Sequence, residues 1–178
     1  MKKDFDFTAQ LMNEFFDQNH IQERFKLIQE CEISGYEIWL QVEVAAFFNA
    51  HSLVADWKRE VEYSIDRRVM KHRNRALVDL IFRKKHSSTD KWIGLEIKQN
   101  QNLSACLRGI MEDTLKLNAV KDSEDNLRCF WSLGVFQASN ENVHDKLMNS
   151  ANSHNFELPK NCFQHHKIGD SGYEYLVC

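Results

Sequence analysis

Three stretches with strand-like alternation, residues 57–64, 75–82 and 91–98, follow one another between stretches of helical period. That order restricts the fold more than any other feature of the chain. Residues 57–64 place Trp57, Val61 and Tyr63 on one side and Lys58, Glu60, Glu62 and Ser64 on the other, a half-buried strand. Residues 75–82 are more densely apolar and are interrupted only by Asp79. The polar stretch 83–90, ending in Ser-Ser-Thr-Asp, predicts a turn into 91–98. Before this meander, residues 8–17 and 21–30 predict two short helices, and 36–49 a third whose apolar residues surround most of its circumference. After Asn100 the period becomes helical again, with Leu103, Cys106, Leu107, Ile110, Met111, Thr114, Leu115 and Leu117 on one broad face. A strand over 127–137, a helix over 142–153 and at least one strand within 162–177 complete the chain. Such an order predicts an α/β protein with a mixed sheet, because a strand, a crossover helix and another strand normally return parallel within one sheet.

Length and composition agree. With 178 residues the chain can bury a core without disulfides or a structural metal, and one proline and six glycines leave no obvious linker. Cys31, Cys106, Cys129, Cys162 and Cys178 are odd in number and contain no Cys-x-x-Cys pair, so free thiols in a reducing cytoplasm are expected. Neither a secretory signal nor a membrane span is read from the sequence, and no membrane partner is expected. Cys162 with His165 and His166 fits no common zinc spacing, and no glycine loop of the nucleotide-binding kinds occurs. Trp57, Trp92 and Trp131 are read as core residues.

Charge singles out one region. The net charge is -3, yet residues 58–85 hold ten basic residues against four acids, a local +6 that leaves -9 for the rest. Arg67, Arg68, Lys71, Arg73 and Arg75 lie in the segment leading into the Asp79 strand, where they could cradle a phosphate backbone. No helix-turn-helix, zinc finger or aromatic stacking motif accompanies them, so sequence-specific base reading is not expected.

Four ionisable residues break apolar runs: Glu43 in the third helix, Asp79 in the second strand, and Glu96 and Lys98 in the third. On a strand Glu96 and Lys98 share a face, and a short hairpin sets Asp79 beside them. Two carboxylates brought together in a partly dry site are costly unless a cation neutralises them, and Mg²⁺ commonly takes one or two carboxylates plus a phosphate. Lys98 would then orient or deprotonate the attacking water and offset charge in the transition state.

An apolar-flanked Asp, a turn and an apolar-flanked Glu-x-Lys before a helix resemble the PD-(D/E)XK nuclease superfamily, the restriction-endonuclease-like fold. The resemblance covers the chain from about Tyr36 and implies a restriction-endonuclease-like core with α-β-β-β-α-β order. It implies an N-terminal helical extension over 1–33 and a nuclease-like domain over 34–178. It also implies that Asp79, Glu96 and Glu43 bind Mg²⁺, with Mn²⁺ able to substitute, and that Lys98 acts beside them. Gln99 would contact the metal-bound water or a phosphate, and Glu60 is a weaker further candidate. Val78 stands where the family's proline does, and the glutamine-and-tyrosine helix signature of the exonuclease branch is missing. The expected function is a metal-dependent endonuclease acting on DNA rather than RNA, with a homodimer implied by small members of the family. The alternative is a catalytically silent protein of the same fold that binds nucleic acid or a protein partner, as a phage or defence factor would.

Overall fold

The computed structural model describes residues 1–66, 68, 74–120 and 127–178. The amphipathic N-terminal stretches form α1 (Lys2–Phe16) and α2 (Asn19–Glu30), followed by α3 (Glu37–Ala50). Helix α1 begins well before residue 8. Its charged first turn is held against the sheet because the buried Asp4 carboxylate meets Arg128 at 3.0 Å and Lys84 at 3.4 Å.

The three alternating stretches become β1 (Val54–Ser64), β2 (Arg75–Lys84) and β3 (Trp92–Gln99), an antiparallel meander. Helix α4 (Leu103–Leu117) follows, started by Asn102, whose side chain accepts the Ala105 amide and caps an otherwise unpaired N–H. It carries the chain across to β4 (Leu127–Gln137), which pairs parallel with β3 as the crossover rule requires. Helix α5 (Val143–Ser153) leads to β5 (Gln164–Lys167) and β6 (Tyr173–Val177), so the expected terminal strand is a hairpin of two. Strand order is β1-β2-β3-β4-β6-β5 in one open, mixed sheet flanked by helices, the α/β class expected.

Strand parity assigns the two faces. Ile93, Leu95 and Ile97 of β3 join the main core with α1, α2 and α3, while Trp92, Gly94, Glu96 and Lys98 turn toward α4. Residues 1–33 contribute Phe5, Leu11, Met12, Phe15, Phe16, Ile21 and Phe25 to that main core, so this N-terminal segment is packed as part of the domain. Phe16 stacks on Tyr175 with ring centroids 4.2 Å apart.

On the opposite face, α4 sits close to β4 at Gly134. A Cβ there would come within 2.8 Å of Ile110 Cδ1 and 3.1 Å of Cys106 Sγ. Since Gly134 is in register with Lys98, this close approach also sets the height of α4 above the Lys98 side chain. Trp92 and Trp131 are buried as read, whereas Trp57 is partly exposed and donates its indole N–H to Asn49. Among the described residues no helix is long and apolar enough to cross a membrane.

Candidate active site

The β2–β3 ladder has its last backbone pair at Leu80 and Leu95. Beyond it the Asp79 side chain takes over, its Oδ2 accepting the Ile97 N–H at 2.8 Å. Glu96, only 2% exposed, lies beside Asp79 within hydrogen-bonding reach, and its Oε1 is buried with no hydrogen-bond partner. Lys98 points along the same face. Its Nζ lies 2.8 Å from Asp113 Oδ2 on α4 and 3.6 Å from Glu37 Oε1 in the first turn of α3. The other Asp113 oxygen takes Lys116 Nζ at 2.8 Å, and Glu37 Oε2 accepts the Gln99 N–H at 3.3 Å.

These groups set one another's protonation. Burial, with the Asp79 charge beside it, pushes the Glu96 carboxyl up to about 9, against the pull of Lys116. Asp79 is raised as well, chiefly by burial and opposed by the Ile97 amide, so the pair retains a proton near neutrality. Burial works against the charge of Lys98, but Asp113, Glu37 and Asp79 outweigh it and hold the ammonium well above its ordinary 10.5. Lys98 is therefore a fixed positive charge near neutrality, which suits charge offset and orientation of water but not proton abstraction.

The cluster as a whole has four carboxylates, Glu37, Asp79, Glu96 and Asp113, against two ammonium groups, Lys98 and Lys116. Fully ionised, it carries two excess negative charges in a mostly buried space, the deficit that one divalent cation fills. The unpartnered Glu96 oxygen and its neighbour Asp79 are the donors that fit such an ion. Among the described residues no three His, Cys, Asp or Glu side chains are placed to hold a metal together. Binding here would rest on two carboxylates with water completing the shell, as Mg²⁺ tolerates.

A stability consequence follows from the raised Glu96. A carboxyl whose folded pKa lies above its unfolded value stabilises the fold while protonated: the contribution is complete below about 4.5 and is lost as pH rises through about 9. In metal-free solution the wild type should therefore lose stability relative to Glu96→Gln across that window, by on the order of a few kcal/mol. Urea melts of both proteins from about pH 5 to about pH 9 check this. A stability difference that stays flat with pH would contradict it.

Of the residues expected from sequence, Asp79, Glu96 and Lys98 are brought together. Glu43 Oε1 takes the Trp39 indole N–H at 3.0 Å, and Glu37 is the α3 glutamate that meets Lys98. Six residues at about 100° each put these two glutamates on different helix faces. Gln99 is tied to the site through its backbone amide. Glu60 is half-exposed, paired with Arg59 at 2.7 Å, and has a left-handed φ of 53° between the Arg59–Leu80 and Val61–Val78 pairs. Arg68 pairs with Asp66 and Arg75 with Glu62, both at the surface, while Arg67, Lys71 and Arg73 lie outside the described residues. His165 bonds Glu174 at 2.9 Å.

Sequence reasoning missed Glu37, Asp113 and Lys116. The signal for the last two was present: Gly109, Asp113 and Lys116 recur at i, i+4 and i+7, one flank of α4, bordering its apolar face. Comparison with protein-family models, curated proteins and solved structures finds no match to the chain.

Proposed function

We propose that the protein is a Mg²⁺-dependent nuclease of the PD-(D/E)XK type, with a restriction-endonuclease-like core, that hydrolyses phosphodiester bonds in DNA as an endonuclease. One observation carries this reading: the buried Asp79–Glu96 pair, with an unpartnered Glu96 oxygen, set in a cluster that lacks two positive charges when every carboxyl is ionised. The element order, helix, three-stranded meander, helix and parallel strand, supports the same reading.

Asp79 and Glu96 would hold the ion, with Mn²⁺ able to substitute. When bound, Mg²⁺ supplies a Lewis acid and a water of lowered pKa. Everything else is done by the chain. Asp113 and Glu37 hold Lys98 so that its ammonium faces the substrate phosphate and offsets the charge that develops on it. The Ile97 N–H fixes the Asp79 carboxylate in place. The described ends of the basic segment are tied down just past α4, because Asp66 N–H bonds Ala119 O at 2.8 Å and Ile65 N–H bonds Asn74 O at 3.0 Å. Its exposed ion pairs, Arg68–Asp66 and Arg75–Glu62, are worth little in water, so a phosphate backbone can displace the acids.

The test uses purified protein with Mg²⁺ or Mn²⁺ on plasmid, linear duplex, single-stranded DNA and RNA, beside Asp79→Ala and Lys98→Ala. Metal-dependent cutting of DNA, lost in both variants, is the expected result. Activity that survives both substitutions would rule the assignment out. Nucleic-acid or protein binding without turnover would instead identify a silent protein of this fold.

A further inference from the structure

We infer that Lys116 is a second substrate-binding lysine, and that Asp113 is the positioning residue that sets Lys98 and Lys116 as a two-pronged clamp on one phosphodiester. The inference rests on the nuclease reading above. Helix α4 presents Gly109, Asp113 and Lys116 along one flank. Gly109 leaves room for the Lys98 stem, since a Cβ there would lie 3.3 Å from Lys98 Cδ. One turn on, Asp113 divides its oxygens, Oδ1 to Lys116 and Oδ2 to Lys98, each at 2.8 Å. An ordinary surface pair spaced i, i+3 at a helix end extends into water and holds only its own partner. Lys116 instead has a side chain 14% exposed and shares its carboxylate with a strand residue.

The Lys116 charge acts on Glu96 and the Lys98 charge on Asp79. Donor capacity remains for a ligand. Each ammonium has three N–H donors; Asp113 lies 2.8 Å from both and engages one on each, while Glu37, at 3.6 Å, is an ion-pair neighbour of Lys98 beyond hydrogen-bond distance. At least one donor on Lys98 and two on Lys116 are left for the two non-bridging oxygens of a phosphodiester.

Lys116→Met in the full chain separates this role from a structural one, because its two readouts move in opposite directions. Removing an ammonium near Glu96 should tighten Mn²⁺ binding, measured by calorimetry without nucleic acid, by about threefold to tenfold. Removing a phosphate ligand should lower kcat/KM for duplex DNA by about 30-fold or more. Lys116→Arg should restore most of the cleavage. Lys116→Gln, which keeps a donor for Asp113, carries the same two expectations should the Met variant not fold. Unchanged kcat/KM in Lys116→Met, or parallel loss of Mn²⁺ affinity and cleavage without rescue by Arg, would overturn the clamp alone. Wild-type protein that neither binds Mn²⁺ nor cuts nucleic acid would overturn the nuclease reading and the clamp with it.

Discussion

Asp79→Asn should cost at least about 10³-fold in cleavage rate, about 4 kcal/mol of lost transition-state stabilisation, and should make the metal-free protein more stable. The two effects share one cause. Asparagine keeps the size of the side chain and an oxygen that can accept the Ile97 N–H, so the end of the β2–β3 ladder stays closed. It removes one of two carboxylates confined together, and burial beside that charge is what drives Glu96 out of its ordinary range. With Glu96 protonated near neutrality, what the substitution relieves is the burial of the Asp79 charge, worth about 1–3 kcal/mol, or a rise in melting temperature of roughly 2–10 °C for a chain of this size. Added Mg²⁺ should then raise the melting temperature of the wild type and leave that of Asp79→Asn unchanged, since only a binder of the folded state stabilises it. Thermal melts with and without Mg²⁺, beside a cleavage assay, measure all three quantities. An active Asp79→Asn protein, or one less stable than wild type without metal, would contradict the charge arrangement.

Removal of residues 1–33 should leave residues 34–178 without a cooperatively folded state. The segment takes its own ordering cost with it, so the decisive quantity is the apolar surface it uncovers on the rest. Phe5 packs on Trp131 at 5.1 Å, Phe7 on Phe82 at 6.2 Å, Phe16 on Tyr175 at 4.2 Å, and Phe25 on Tyr36 and Tyr173 at 5.7 and 5.5 Å. Uncovering five such rings at about 1.5–3 kcal/mol each costs on the order of 10 kcal/mol, comparable to the entire stability of a domain. The fragment should precipitate or unfold without a sharp transition. A soluble fragment with a sharp melt would show that α1 and α2 are dispensable to the core.

How much was legible beforehand follows the reach of each signal. Strand alternation and the turn at 83–90 were enough to place Asp79, Glu96 and Lys98 on adjoining strands, because parity and hairpin length are local properties. The α3 glutamate was not legible for a physical reason. Apolar residues ring that helix, with Ile38 and Val42 exposed as well as Leu40, Val44 and Phe48 buried, so no stripe marks which way it faces. Glu37 and Glu43 could be told apart only once α3 was docked. The start of α1 was hidden similarly: Lys2 and Asp4 read as polar chain until Arg128 and Lys84, from distant strands, supply the partners that let Asp4 be buried. Strand β5 reads Gln-His-His-Lys, with no apolar alternation; its pairing to β6 makes it a strand. Asp113 and Lys116 were missed because the apolar face of α4 dominated the pattern and the polar residues at its border were left to solvent.

The most direct test of the site is a crystal structure of the protein soaked in Mn²⁺, read by anomalous scattering. The expected result is a peak bound by both the Asp79 and Glu96 carboxylates, with Lys98 still held by Asp113. A well-ordered structure in which Glu96 remains hydrogen-bonded to Asp79, with no metal between them at saturating Mn²⁺, would contradict it.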